Sequence, residues 1–161
     1  MPRLLILAPC HSVLHDEEGH DASLISIIEG VKLTVLPGAP EPPRGTLVPM
    51  HWCVYACWQQ EAGDPKDKQY EQRLLCKAPT GELIMETAPR AFNFETRMVN
   101  VINKFINFPV WQKGICPISA EYREVGTEQW VEVASYPLLI EHEVQPQKSD
   151  TTSKTVIWHK A

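Results

Sequence analysis

Apolar residues recur along this chain in short runs of period two, the spacing of a half-buried β-strand. In "VKLTVL", Val31, Leu33 and Val35 alternate with Lys32 and Thr34. In "ICPISAEYRE", Cys116, Ile118, Ala120 and Tyr122 take one face, and Ser119, Glu121 and Arg123 the other. Residues 3–9 read as an opening strand and "SLISIIE" as the next, set off from "VKLTVL" by Gly30. "MHWCVYACW" is different, because it is apolar on both parities. Such a strand is covered on both faces and is expected in the middle of a sheet.

The connections are as legible as the strands. "PGAPEPPRGTLVP" holds five prolines in thirteen residues, so it is expected to be a stiff, extended link without ladder pairing. "EAGDPKDK" reads as a loop tip and "APTGE" as a tight turn, bracketing the strand "QYEQRLLCK". "LIMET", "AFNFE" and "WVEVASYPLLIEHEV" complete the strands. "RMVNVINKFINF" fits two periods: Met98, Val101, Ile102 and Phe105 make a helical stripe, while Val99, Val101, Asn103 and Phe105 alternate. Its β-branched and asparagine content favours the strand.

About eight to ten short strands with no helices between them imply an all-β fold. The expected architecture is an antiparallel β-sandwich of immunoglobulin-like type over residues 1–144. Residues 145–161 form a polar C-terminal tail that ends in the β-prone "TVIWHKA".

Composition narrows the function classes. With hydrophobic residues at 43%, the chain can build a core. A net charge of −5, with the cations scattered singly, opposes nucleic-acid binding. The apolar run "LLILA" is far too short for a signal core or a membrane span, so no membrane contact is expected and the location is expected to be cytoplasmic. Five cysteines, an odd number, read as free buried thiols.

In order along the chain, "LLILAPCHSVLHDEEGHDASLISIIEGVKL", "HWCVYACW", "KAPTGE" and "NVINKFINFPVWQKGICPISAEYREVGTEQWVEVASYPLLI" resemble a small bacterial family, the DUF6941-type domain of unknown function. The resemblance covers roughly residues 3–144 and rests on turns and apolar alternation. It implies a β-sandwich of bacterial or phage origin and a strand over residues 99–105. It transfers no catalytic residue.

The densest set of potential ligands is "APCHSVLHDEEGHD". A metal site here would use Cys10, His11, His15 and His20, with Asp16 or Glu18 as a further ligand, yet the spacing matches no familiar zinc pattern. A polar hairpin tip reversing at Gly19 explains the same residues without a ligand. Cys53 and Cys57 stand too far apart on a strand to share an ion. A calcium site drawn from Asp16, Asp21, Asp64 and Asp67 lacks a D-x-D pair. Nucleophilic pairs are conceivable from Cys10 with His15 or Cys53 with His51. However, no G-x-S-x-G, H-E-x-x-H or P-loop accompanies them, so no enzyme activity and no cofactor are expected.

Five tryptophans remain. Trp52, Trp58 and Trp130 read as packing, whereas Trp111 in "FPVWQKG" and Trp158 in the tail are candidate anchors for a protein partner or for self-association. "TVIWHK" could add a strand to an exposed sheet edge. A binding module is therefore expected. The alternatives are a metal-dependent protein and a structural subunit of a phage or mobile-element assembly.

Overall fold

The computed structural model describes residues 1–15, 21–65 and 68–145. The described residues form ten strands: β1 Arg3–His15, β2 Ala22–Ile27, β3 Gly30–Val35, β4 Leu47–Gln59, β5 Gln69–Lys77, β6 Leu83–Glu86, β7 Arg90–Asn93, β8 Met98–Pro109, β9 Gly114–Glu124 and β10 Val131–Val144. They make two sheets. One has the order β2-β1-β4-β8; the other has the order β3-β10-β9-β5-β6, with β7 also on β5. The all-β expectation holds, and the ambiguous segment around residue 100 is the strand β8.

The second sheet departs from a purely antiparallel plan, because β3 lies parallel to β10, with Gly30 opposite Leu139. The chain crosses from the first sheet to the second at Ile28 and Glu29, where Ile28 N–H donates to the Pro9 carbonyl and Leu139 N–H to that of Glu29. Gly30 is required at this crossing. A Cβ there would lie 2.7 Å from the Leu139 carbonyl oxygen, backbone that cannot move aside.

β4 sits between β1 and β8, the central place that its two apolar faces required. One face meets the second sheet. Trp52, Val54 and Phe108 pack there against Leu74, Cys76, Ile118, Leu138 and Ile140, while Trp58, Tyr70, Phe92, Phe94 and Tyr122 form an aromatic layer beside them. In β9, Cys116, Ile118, Ala120 and Tyr122 all point inward as read, but Ser119, expected outside, is also buried between the neighbouring strands.

The other face of β4 carries Cys53, Tyr55 and Cys57, which cluster with Cys10 of β1. What covers them is a correction to the reading of the N-terminal segment. β1 does not stop at residue 9 but continues to His15 and pairs with β2, Val13 opposite Leu24 and His15 opposite Ala22. Leu5 and His15, near opposite ends of β1, line a single hollow. A straight strand at about 3.3 Å per residue would hold them roughly 33 Å apart. β1 therefore bends, and its hairpin with β2 folds back over the sheet, laying Val13, Ala22 and Leu24 onto the Cys10–Cys53–Tyr55–Cys57 cluster. The first sheet is thus curled.

The edge of the second sheet is broken. β6 and β7 both pair with β5, at its end and its beginning respectively. Between them Thr87 bonds Leu74 through both its backbone N–H and its hydroxyl, at 3.0 and 2.9 Å, and Pro89 interrupts the ladder.

Candidate functional site

Of the hollows on the surface of the described residues, three bear on function. The first, about 790 Å³, lies under the folded-back hairpin, with Leu5, Ile6, Tyr55 and Cys57 as its floor and His15, Asp21 and Arg97 at its rim. The second, about 430 Å³, lies at the sheet crossing, with His11, Glu29, Lys32 and Glu141 around it beside Ile27, Ile28 and Leu139.

The third, about 600 Å³, is a slot between the open edges of the two sheets. Among the described residues β8 pairs only with β4, and β6 only with β5, so both edges face the slot without a partner strand there. Ile84 and Met85 of β6 and Phe105 of β8 form its walls and also pack on the main core. Leu47 and Ile106 stand at its mouth, 53% and 67% exposed.

Backbone polarity gives this slot its chemistry. Peptide groups of an antiparallel strand turn alternately to its two neighbours. The carbonyls of Met98 and Ile102 turn away from β4, since they accept from Thr96 Oγ1 and from the Arg90 guanidinium, while that of Asn107 faces back to the Trp52 indole N–H at 2.8 Å. Lys104 and Ile106 share the parity of Ile102, so their N–H and C=O groups turn away from β4 along the slot and have no partner among the described residues. The acids nearby are already matched: Glu82 pairs with Arg44, and Glu86 with Arg73 at 2.8 Å. What the slot offers is apolar surface on both sides of a row of unpaired backbone groups.

The proposed metal ligands fall in different places. Cys10 is wholly buried, its Sγ 3.4 Å from Cys53 Sγ. His11 lines the hollow at the sheet crossing and His15 the hollow beneath the hairpin, so Cys10, His11 and His15 do not converge. His20, Asp16, Glu18, Gly19 and Asp67 lie outside the described residues. Among the described residues no three His, Cys, Asp or Glu side chains gather to hold a metal. Of the aspartates weighed for calcium, Asp64 is engaged by the Met1 amino group, and Asp21 is exposed just before β2.

Three of the thiols are shifted away from nucleophilic character. Burial and the neighbouring Cys53 push Cys10 up to about 12, burial pushes Cys76 to about 12, and burial raises Cys116 as well. A catalytic cysteine needs the opposite shift. His51 is exposed at the bulge where β4 changes register against β8, while Cys53 is buried.

The tryptophans sort as follows. Trp52 and Trp58 are core. Trp130 is clamped between two guanidiniums, Arg73 and Arg123 lying 4.3 and 4.5 Å from its ring centroid. Those arginines are themselves tied to Glu121 and Glu71 on neighbouring strands, which closes that face. Trp111 is half-buried in the β8–β9 loop, and Trp158 lies outside the described residues. The slot residues Leu47, Ile84, Met85 and Ile106 were not singled out from the sequence. Consecutive apolar residues at 105 and 106, out of step with strict alternation, were the available signal.

No family model matches the chain, and no curated protein matches it. Among the described residues, no helix is long and apolar enough to cross a membrane.

Proposed function

We propose that this chain is an immunoglobulin-like sandwich that serves as a non-enzymatic interaction module, taking an extended strand of a protein partner at the β6–β8 edge. The immunoglobulin-like reading is supported by the strand order, with β1 and β8 flanking β4 in one sheet and β3 running parallel to β10 at the edge of the other. The functional reading is carried by one observation: an apolar slot of about 600 Å³ bounded by two unpaired strand edges.

An exposed edge is a template for another strand, and proteins normally blunt it with charge, proline or a covering loop. Among the described residues lining the slot Lys104 alone carries a charge, while Leu47 and Ile106 leave apolar surface open. Strand addition would use the free peptide groups of Lys104 and Ile106 for affinity, and the walls of Ile84, Met85 and Phe105 for selection of side chains. The partner segment suited to it is extended and apolar on both faces.

Selection of peptides from a displayed random library on the full chain tests this. The selected peptides should be apolar and β-prone. Ile106→Asp should weaken them about tenfold or more, since it places a charge beside the added strand. Leu14→Asp, on the exposed side of the hairpin, should leave them unchanged. Binding that ignores Ile106→Asp, or no peptide recovered on either edge, overturns the proposal.

A further inference from the structure

We infer that Cys10 and Cys53 are a redox site: a low-molecular-weight disulfide of the glutathione type closes them to one intramolecular disulfide and leaves the other three cysteines reduced. This site is separate from the strand-accepting edge and does not rest on that reading.

The first support is geometry. Cys10 of β1 and Cys53 of β4 are direct partners in an antiparallel ladder, and their sulfurs are 3.4 Å apart. Directly opposed residues in such a ladder have Cα atoms about 4.5–5.5 Å apart. Disulfides span Cα separations of roughly 4.4–6.8 Å, so the backbone already stands at the required distance. The bond itself is about 2.05 Å, so the sulfurs need to close by about 1.4 Å, which rotation about the two Cα–Cβ bonds supplies without moving the ladder.

The second support is selectivity. Cys57 lies four residues beyond Cys53 on β4, about 13 Å along the strand, and its ladder partners are Ile6 and Asn100. Cys76 stands opposite Ile118, which leaves Cys116 a diagonal step away at about 7–8 Å. Cysteines about 7 Å or more apart at Cα are not bridged without backbone movement. One pair of the five is therefore in place.

The third support is position. Cys10 is the last residue of β1 paired with β4 and the first paired with β2, opposite Cys53 and Ile27 respectively. It is the corner at which the β1–β2 hairpin folds back over its own sheet. A bond there pins the corner to the central strand and closes a loop from residue 10 to residue 53, which restricts the unfolded chain. Oxidation thus fixes the hairpin, and with it the hollow beneath.

The chemistry is thiol–disulfide exchange. Both sulfurs are buried and Cys10 is pushed up to about 12, so exchange starts when the hairpin lifts Val13, Ala22 and Leu24 off them. One thiol loses its proton to water, and its thiolate attacks glutathione disulfide and expels a glutathione thiolate. The second protein thiolate then attacks the protein sulfur of the mixed disulfide and expels the other. Two protein thiols become one S–S bond, two electrons pass to glutathione disulfide, and the two protons end on two glutathione thiols.

The test uses the full chain, incubated with glutathione disulfide at 25 °C and again just below the Tm of the reduced protein, where openings are frequent. Remaining thiols are alkylated in denaturant and counted by mass, and the linked peptides are mapped. Three alkylated cysteines, a Cys10–Cys53 link that dithiothreitol reverses, and a Tm raised by about 5 °C or more are expected. Cys57→Ala should keep the bond. Five alkylated cysteines at both temperatures, a lone glutathione adduct, a link between any other pair, or a bond that lowers Tm overturns the inference.

Discussion

Replacing Trp58 by alanine is expected to remove about 3–5 kcal/mol of stability from the side-chain loss alone. Trp58 is completely buried, stacks on Phe92 at 5.3 Å and meets Tyr122 edge-on at 5.4 Å. Its indole N–H donates to Gln72 Oε1 at 2.5 Å. Gln72 is 1% exposed, and its amide nitrogen has no partner among the described residues, so the bond to Trp58 holds a buried amide that is only half satisfied. Orphaning that buried acceptor adds about 1–3 kcal/mol. Against a typical domain stability of about 5–15 kcal/mol, the alanine variant should be largely unfolded or shifted far down in denaturant midpoint. Trp58→Phe separates the two costs, because it keeps most of the ring contact and loses only the donor. A circular-dichroism denaturant titration measures both; a Trp58→Ala loss below about 1 kcal/mol would mean that the aromatic layer is not core.

The second large effect concerns the thiols. All five cysteines are buried and unbridged. Their reaction with a disulfide reagent in the native protein should therefore be slowed by roughly three orders of magnitude or more relative to the denatured chain, since reaction awaits opening. The same burial makes the fold sensitive to alkali. Cys10 and Cys76 rise from 9.0 to about 12, and Tyr55, beside Cys57, from 10.0 to about 12. The folded state thus holds the neutral forms while the unfolded chain ionises earlier. The stability this contributes is complete below pH 9 and is lost as pH rises towards about 12. A Tm that falls steeply above pH 9, and less steeply in the Cys10→Ala Cys76→Ala double variant, is the expected result. A level Tm up to pH 11 would show the thiols ionising in place.

Much of the fold was legible because strand burial writes itself as local alternation. β9 displays its inward face residue by residue, and the apolar doubling of β4 announced a strand covered on both sides. β1 was not legible beyond residue 9. Its far half, with Ser12, Val13, Leu14 and His15, is a strand only because it pairs with β2, and its faces are defined by a fold-back that no local period records. The parallel β3–β10 pair is likewise long-range. The histidines drew attention because they are near in sequence. The bend of β1 sends His11 and His15 to different hollows and buries Cys10 between two strands. The slot was hidden for a related reason. Ile106 and Leu47 are unremarkable in their strands, and only the order of strands in the two sheets makes β8 and β6 the open edges.

Residue-resolved amide hydrogen exchange along β8 addresses the strand-accepting edge most directly. The full chain is compared with and without a saturating selected peptide. Slowing by about tenfold or more at the amides of Lys104 and Ile106 on peptide addition, with the β4-facing amides of Val101 and Asn103 unchanged, is the expected result. Exchange at Lys104 and Ile106 that stays the same while protection appears at the hairpin or elsewhere would contradict strand addition at this edge.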